Sequence, residues 1–204
     1  MEKQEREIME CALRMFNKYG IRSVTMDDVA KELGISKKTI YKYFENKADL
    51  IHKSIINKFA EIQQSLLEIH SRTTNAIDEL MEVDAVVGRI MRNHNHSMQF
   101  QLQKYYPETF SEVFEGRHEM LSMMIQENIE SGKRDGLYRP EASTEVISFL
   151  YCAKMETMPE EERELFDNHS MPFVMHQALE YHIRGLATPK GLEYLEQKLK
   201  NKSI

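Results

Sequence analysis

Residues 25–50 read TMDDVAKELGISKKTIYKYFENKADL, and their spacing decides the architecture. Thr25 stands before an apolar set, Val29, Ala30 and Leu33, that shares one face of a short helix from Met26 to Leu33, and its hydroxyl suits the N-cap. Gly34 permits the positive φ of a sharp turn, with Ile35 able to pack beneath it. Ser36 caps a second helix, Lys37 to about Phe44, on which Ile40 and Phe44 point to one side. Lys38 and Lys42, four residues apart, share the other side. A helix, a glycine turn and a second helix that opens on cations and hydroxyls suit duplex DNA. The first helix crosses the backbone, and the N-terminal side chains of the second enter a major groove ~12 Å wide.

Upstream, Ile8, Cys11/Ala12, Met15/Phe16 and Tyr19 recur at helical spacing, and Gly20 ends that helix. Downstream, Asn46 caps a long fourth helix whose stripe runs Leu50/Ile51, Ile55, Phe59, Ile62, Leu66 and Ile69. It spans roughly 22 residues, about 33 Å, long enough to join two lobes. Further helical stretches follow: Ile77 to Met91, Met98 to Tyr105, Pro107 onward to a break at Gly132 and Gly136, and Val146 to just before Pro159. Glu160 to Gly185 reads as another, with Pro172 kinking it or opening its main part, and Gly191 to Lys200 as a terminal one. No segment alternates with period two for long enough to make a sheet. The expected fold is all-α: an N-terminal three-helix head, residues 1–48, joined by the fourth helix to a larger helical body, residues 49–204.

At 204 residues the chain can bury a core without a metal or disulfide staple. Its net charge of −6 argues against nucleic acid only on average. Residues 1–50 carry ten Lys/Arg against nine Asp/Glu, the rest 17 against 24, and Lys31 to Lys47 holds five lysines against two glutamates. A local basic patch grips phosphate whatever the sign of the whole chain. The longest apolar run, Phe149 to Ala153, is far short of the ~18 residues that cross a bilayer, and the charged N-terminus lacks a signal-peptide core. Two cysteines, Cys11 and Cys152, make no disulfide framework. A reduced, cytoplasmic protein is expected.

The run Tyr41-Lys-Tyr43-Phe44-Glu-Asn-Lys47-Ala-Asp-Leu50, following Thr25, Gly34 and Ser36, closely resembles the N-terminal signature of the TetR family of bacterial helix-turn-helix transcriptional regulators. The resemblance covers about residues 6–55. It implies that Thr25, Tyr41, Tyr43 and Lys47 bind phosphates, and that Ser36, Lys37, Lys38, Thr39 and Lys42 face the groove. Lys38 is a departure, since many relatives have Gly or Pro there. It also implies that the body binds an effector and dimerises through a helix pair. Glu145 to Glu156 and Pro172 to Gly185 are the candidates for that pair, with Phe149, Ala153, Val174, Ala178 and Tyr181 as contacts or, equally, as core.

Fourteen methionines are many for this length. Met81, Met91, Met120 and Met124 lie near Phe100, Phe114 and Phe149 along the body, and an adaptable Met-aromatic lining suits an apolar or amphipathic ligand, though it also suits a plain core. Asp84, Arg117 and Asn128 interrupt apolar faces; they could orient a ligand, and an Asp84–Arg117 ion pair is the plainer account. His94 and His96, two apart, make no metal set, and neither a cofactor motif nor a catalytic one occurs. The reading is a non-enzymatic, ligand-responsive repressor that binds a palindromic operator as a homodimer. An effector-independent architectural or protein-recruiting DNA-binding factor is the alternative.

Overall fold

The computed structural model describes residues 2–92, 96–161 and 169–202. Among them are ten helices: α1 (Lys3–Tyr19), α2 (Met26–Leu33), α3 (Lys37–Tyr41), α4 (Lys47–Arg72), α5 (Ala76–Arg92), α6 (His96–Tyr105), α7 (Pro107–Arg134), α8 (Thr144–Glu161), α9 (Met171–Leu186) and α10 (Pro189–Lys202). One isolated antiparallel bridge joins Tyr138 to Ala187. The fold is all-α. No described helix is long and apolar enough to cross a membrane.

Packing divides the chain into two compact units, residues 1–64 with 93–117 and residues 65–92 with 118–204. The core of the first is built by Ile8, Cys11, Ala12 and Phe16 of α1, Val29 and Ala30 of α2, Ile40, Phe44, and Leu50, Ile51 and Ile55 of α4. Leu102 of α6 lies in the same core, so this unit reaches well beyond the first three helices. Gly20 (φ 84°) and Gly34 (φ 65°) turn the chain after α1 and α2, where a side chain would be strained.

Several helix ends differ from the sequence expectation. The second motif helix, α3, stops at Tyr41, because Phe44 reaches the core by a turn in which its N–H bonds to the Ile40 carbonyl at 3.0 Å. Asn46 caps α4 through its side chain, which accepts the Asp49 N–H at 3.0 Å, and the helix runs 26 residues. Gly132 does not break α7, which is ended by Gly136 at φ 68°. Pro159 does not end α8, which continues to Glu161 with the loss of one backbone donor. Pro172 opens α9 behind the Ser170 cap rather than kinking a longer helix; residues 162–168 of the expected start lie outside the described residues.

In the second unit Ile77, Leu80 and Met81 of α5 pack with Ile125 and Ile129 of α7, Leu179 and Ile183 of α9, and the wholly buried Tyr138. Gly132 is required by packing: a Cβ there would lie 2.1 Å from the Tyr138 ring. Asn128 orders the centre of this unit. Its Nδ2 donates to the Ala76 carbonyl at 2.9 Å and to Glu79 Oε2 at 2.8 Å, and its Oδ1 accepts the Tyr138 hydroxyl at 3.3 Å.

Candidate nucleic-acid interface

The head presents exposed cations on and beside α3, and the starts of α2 and α3 are fixed by side-chain caps. Thr25 and Asp28 form a reciprocal cap on α2: the Thr25 Oγ1 accepts the Asp28 N–H at 3.2 Å, and Asp28 Oδ2 accepts the Thr25 N–H at 2.8 Å. The Thr25 hydroxyl bond to Asp28 holds that carboxyl below its ordinary value. Ser36 caps α3 through the Thr39 N–H at 3.1 Å, and the two hydroxyls share a hydrogen bond of 2.8 Å. These bonds consume the polar groups that fix where α3 begins. Ile40 anchors its inner side, wholly buried.

The outward groups are less uniform. Lys38 and Tyr41 are exposed, and Lys42 is exposed with its ammonium 5.1 Å from the Tyr43 ring centre. Lys37 is paired instead with Asp27, Nζ to Oδ1 3.0 Å, which raises its pKa. The Tyr43 hydroxyl lies 2.7 Å from Glu2 Oε2 and 3.2 Å from Gln4 Oε1; the bond to Glu2 raises its pKa. Lys47, half-buried at the start of α4, donates to the Arg22 carbonyl at 3.4 Å, and burial lowers its pKa. Arg22 is a neighbour the motif did not mark; its only sequence signal is a cation just past the helix-ending Gly20.

Residues 8–53 match the bacterial regulatory proteins of the tetR family. An HTH-type transcriptional regulator of Bacillus subtilis (strain 168), YhgD, is 26% identical over 158 residues, 72% of this chain and 79% of its own length. An HTH-type regulator of Staphylococcus aureus (strain USA300) is 24% identical over 53% of this chain, which spans 64% of that protein's length. Residues 8–53 are a TetR-family helix-turn-helix segment, and the chain is a TetR-like transcriptional regulator, not an enzyme. Two solved structures share its fold: a regulator from Saccharomonospora viridis in complex with choline (TM-score 0.72, 17% identity, 92% of this chain and 100% of that one) and the FadR regulator from Bacillus subtilis in complex with stearoyl-CoA (TM-score 0.64, 17% identity, 88% and 97%).

The regulator's pocket candidates fall in both compact units. Phe100, Phe114 and Arg117 belong to the first compact unit, and Met81, Asp84, Met120, Met124 and Phe149 to the second. The Met91 side chain lies outside the described residues, as do His94 and the His96 side chain. Phe100 is 59% exposed and Met81 is core. Asp84 pairs with His176 Nδ1 at 2.7 Å, and the Arg117 guanidinium lies 5.2 Å from the Phe114 ring centre. Two open concavities, one along α7 at His118, Ser122 and Gln126 and one between α1 and α2 at Met15, Val24 and Asp28, contain none of the pocket candidates. Among the described residues no group of three or more His, Cys, Asp or Glu could hold a metal.

The dimer candidates separate by burial. Phe149 (69% exposed) and Tyr181 (79%) stand free on α8 and α9, while Val174 (7%) and Ala178 (9%) are buried within the subunit and are corrected to core; Ala153 is intermediate. Val174 and Ala178 face inward because α9 packs along α5. Val146, Leu150 and Phe173 join the exposed set on the same two helices, and sequence reasoning missed them. Inside the subunit, the Lys154 ammonium donates to the Ala178 carbonyl at 3.1 Å, with burial lowering its pKa. His182 stacks edge-on against Tyr151 at 4.6 Å, and burial takes its pKa down to about 4.

Proposed function

We propose that this regulator is a repressor that binds a palindromic operator as a homodimer and is released by a small apolar or amphipathic effector. Residues 1–48 serve as the DNA-binding head and residues 49–204 as the effector-binding and dimerisation body. The observation that carries the reading is the outward set Lys38, Tyr41 and Lys42 on and just past a helix whose inner side, Ile40, is held in the core. Thr25, Tyr41, Tyr43 and Lys47 act on phosphates; Ser36, Lys37, Lys38, Thr39 and Lys42 face the groove, where they position the helix or read bases. One such helix per protomer reads half a site, and two half-sites about 34 Å apart need a dimer.

The exposed apolar side chains of α8 and α9 support pairing of two copies, since a monomer seldom leaves several large apolar groups together in water. The choline and stearoyl-CoA complexes of the structural neighbours support a ligand-binding body. An effector that prefers the released form 100-fold supplies ~2.7 kcal/mol of coupling, enough to empty an operator held near its dissociation constant.

Sedimentation of the purified protein with an operator duplex, repeated with a panel of long-chain acyl and quaternary-amine ligands, tests this reading. Two protomers per duplex, with release by one ligand class, supports it. One protomer per duplex contradicts the dimer. A dimer that no ligand releases favours the effector-independent architectural factor.

A further inference from the structure

The turn between α1 and α2 is held by α6, and the residue held is Arg22. Its backbone N–H donates to Gln101 Oε1 at 2.9 Å. Its guanidinium donates to the Tyr105 hydroxyl at 3.1 Å and lies 4.9 Å from that ring's centre. Its carbonyl accepts the Lys47 ammonium. Gln101 and Tyr105 are one helical turn apart and therefore reach from one face of α6. Gln101 is itself fixed, its Nε2 donating to Ser97 Oγ at 3.0 Å. Gly20 makes the approach possible, because a Cβ there would lie 2.9 Å from Gln101 Nε2. Leu102, the next residue of α6, is buried in the core shared with α1 to α4 and anchors α6 beside the turn.

We propose that Gln101 and Tyr105 are positioning residues for DNA binding, which clamp the Arg22 turn so that its carbonyl presents the Lys47 ammonium to a phosphate. The inference rests on the phosphate role given to Lys47 above. A lysine stem turns freely in water, and the entropy lost on ordering it weakens any contact it makes. Held beforehand by one carbonyl, the ammonium keeps two further donors for phosphate oxygens and loses less freedom on binding. Half-burial disfavours its charged form, and a phosphate arriving there offsets that cost. The Arg22 guanidinium, drawn over Tyr105, adds a second cation beside the same place.

The test is the salt dependence of binding to a mixed-sequence duplex, with melting temperature followed alongside. Lys47→Ala loses one phosphate contact, so the slope of log affinity against log salt becomes shallower by about 0.9. Gln101→Ala gives the same change in slope and about a tenfold loss of affinity, and the double variant binds no worse than Lys47→Ala. Gln101→Glu retains an acceptor for the Arg22 N–H and so keeps the turn in place. Hydrogen exchange of the Arg22 amide speeds up in Gln101→Ala and not in Gln101→Glu. An unchanged slope in Gln101→Ala, or losses that simply add in the double variant, overturns the clamp while leaving Lys47 its role. No change in Lys47→Ala itself overturns the phosphate reading and the clamp together.

Discussion

Phe149→Ala should split the dimer while leaving the subunit folded. The ring is 69% exposed in the single chain. A phenyl group offers about 200 Å², so about 140 Å² remains to be covered, worth about 3.5 kcal/mol at 25 cal/mol/Å² if the partner covers all of it. Imperfect cover and the methyl left by alanine reduce the loss to about 2 kcal/mol per ring. A two-fold interface counts the change twice, about 4 kcal/mol, so the dimer dissociation constant should rise about 10³-fold. Sedimentation equilibrium across a concentration series measures it. The melting temperature of the dissociated variant should match that of the diluted parent, because the ring carries little of the subunit's own core. Val174→Ala should do the reverse: Val174 is 7% exposed, so its truncation costs about 2 kcal/mol of subunit stability and leaves the dissociation constant alone. A Phe149→Ala protein that remains as tightly dimeric as its parent would refute the assignment of α8 to the interface.

Gly132→Ala should destabilise the subunit by about 1–3 kcal/mol, since the Tyr138 ring has no room to give, whereas Gly88→Ala, whose Cβ would meet only Pro172 Cβ at 3.8 Å, should stabilise it by up to about 1 kcal/mol; urea unfolding separates the two. Asp27→Asn frees Lys37 and removes a carboxylate from the groove side, so DNA affinity should rise several-fold and the salt slope should steepen by about 0.9, as a salt titration reads directly. Stability should peak near pH 6.5. Below it, the unfolded chain protonates His182 while the folded one stays neutral down to about 4, so up to about 3 kcal/mol is lost as pH falls through that window. Above it, the bond to Glu79 keeps the His70 pKa raised, and its contribution, complete below pH 6.5, fades as pH rises through the folded value. His182→Phe should flatten the acid limb and His70→Gln the alkaline one in pH-dependent melting.

What the sequence made legible is what short-range chemistry fixes. The Thr25 and Ser36 caps, the turns at Gly20 and Gly34, and the apolar faces of α1 and α4 each depend on residues within four positions of one another. The pairings that change the chemistry of the head are long-range. Lys37 meets Asp27 across the turn, Tyr43, just past α3, meets Glu2, just before α1, and Arg22 meets Gln101 and Tyr105 from beyond α5. No local spacing marks these partners. Asp84 likewise meets His176, 92 residues on, because α9 packs along α5. Periodicity likewise says that α8 and α9 have apolar faces without saying which face is covered: Val174 and Ala178 turned inward, and Phe149 and Tyr181 outward.

Selection of random duplexes by the purified protein, with Tyr41→Ala as the control, tests the central claim most directly. The account predicts an enriched palindrome whose half-sites lie one helical turn, about 10 base pairs, apart or a multiple of it, and loss of that enrichment in the control. A single unrepeated site, or the same enrichment in Tyr41→Ala, would contradict it.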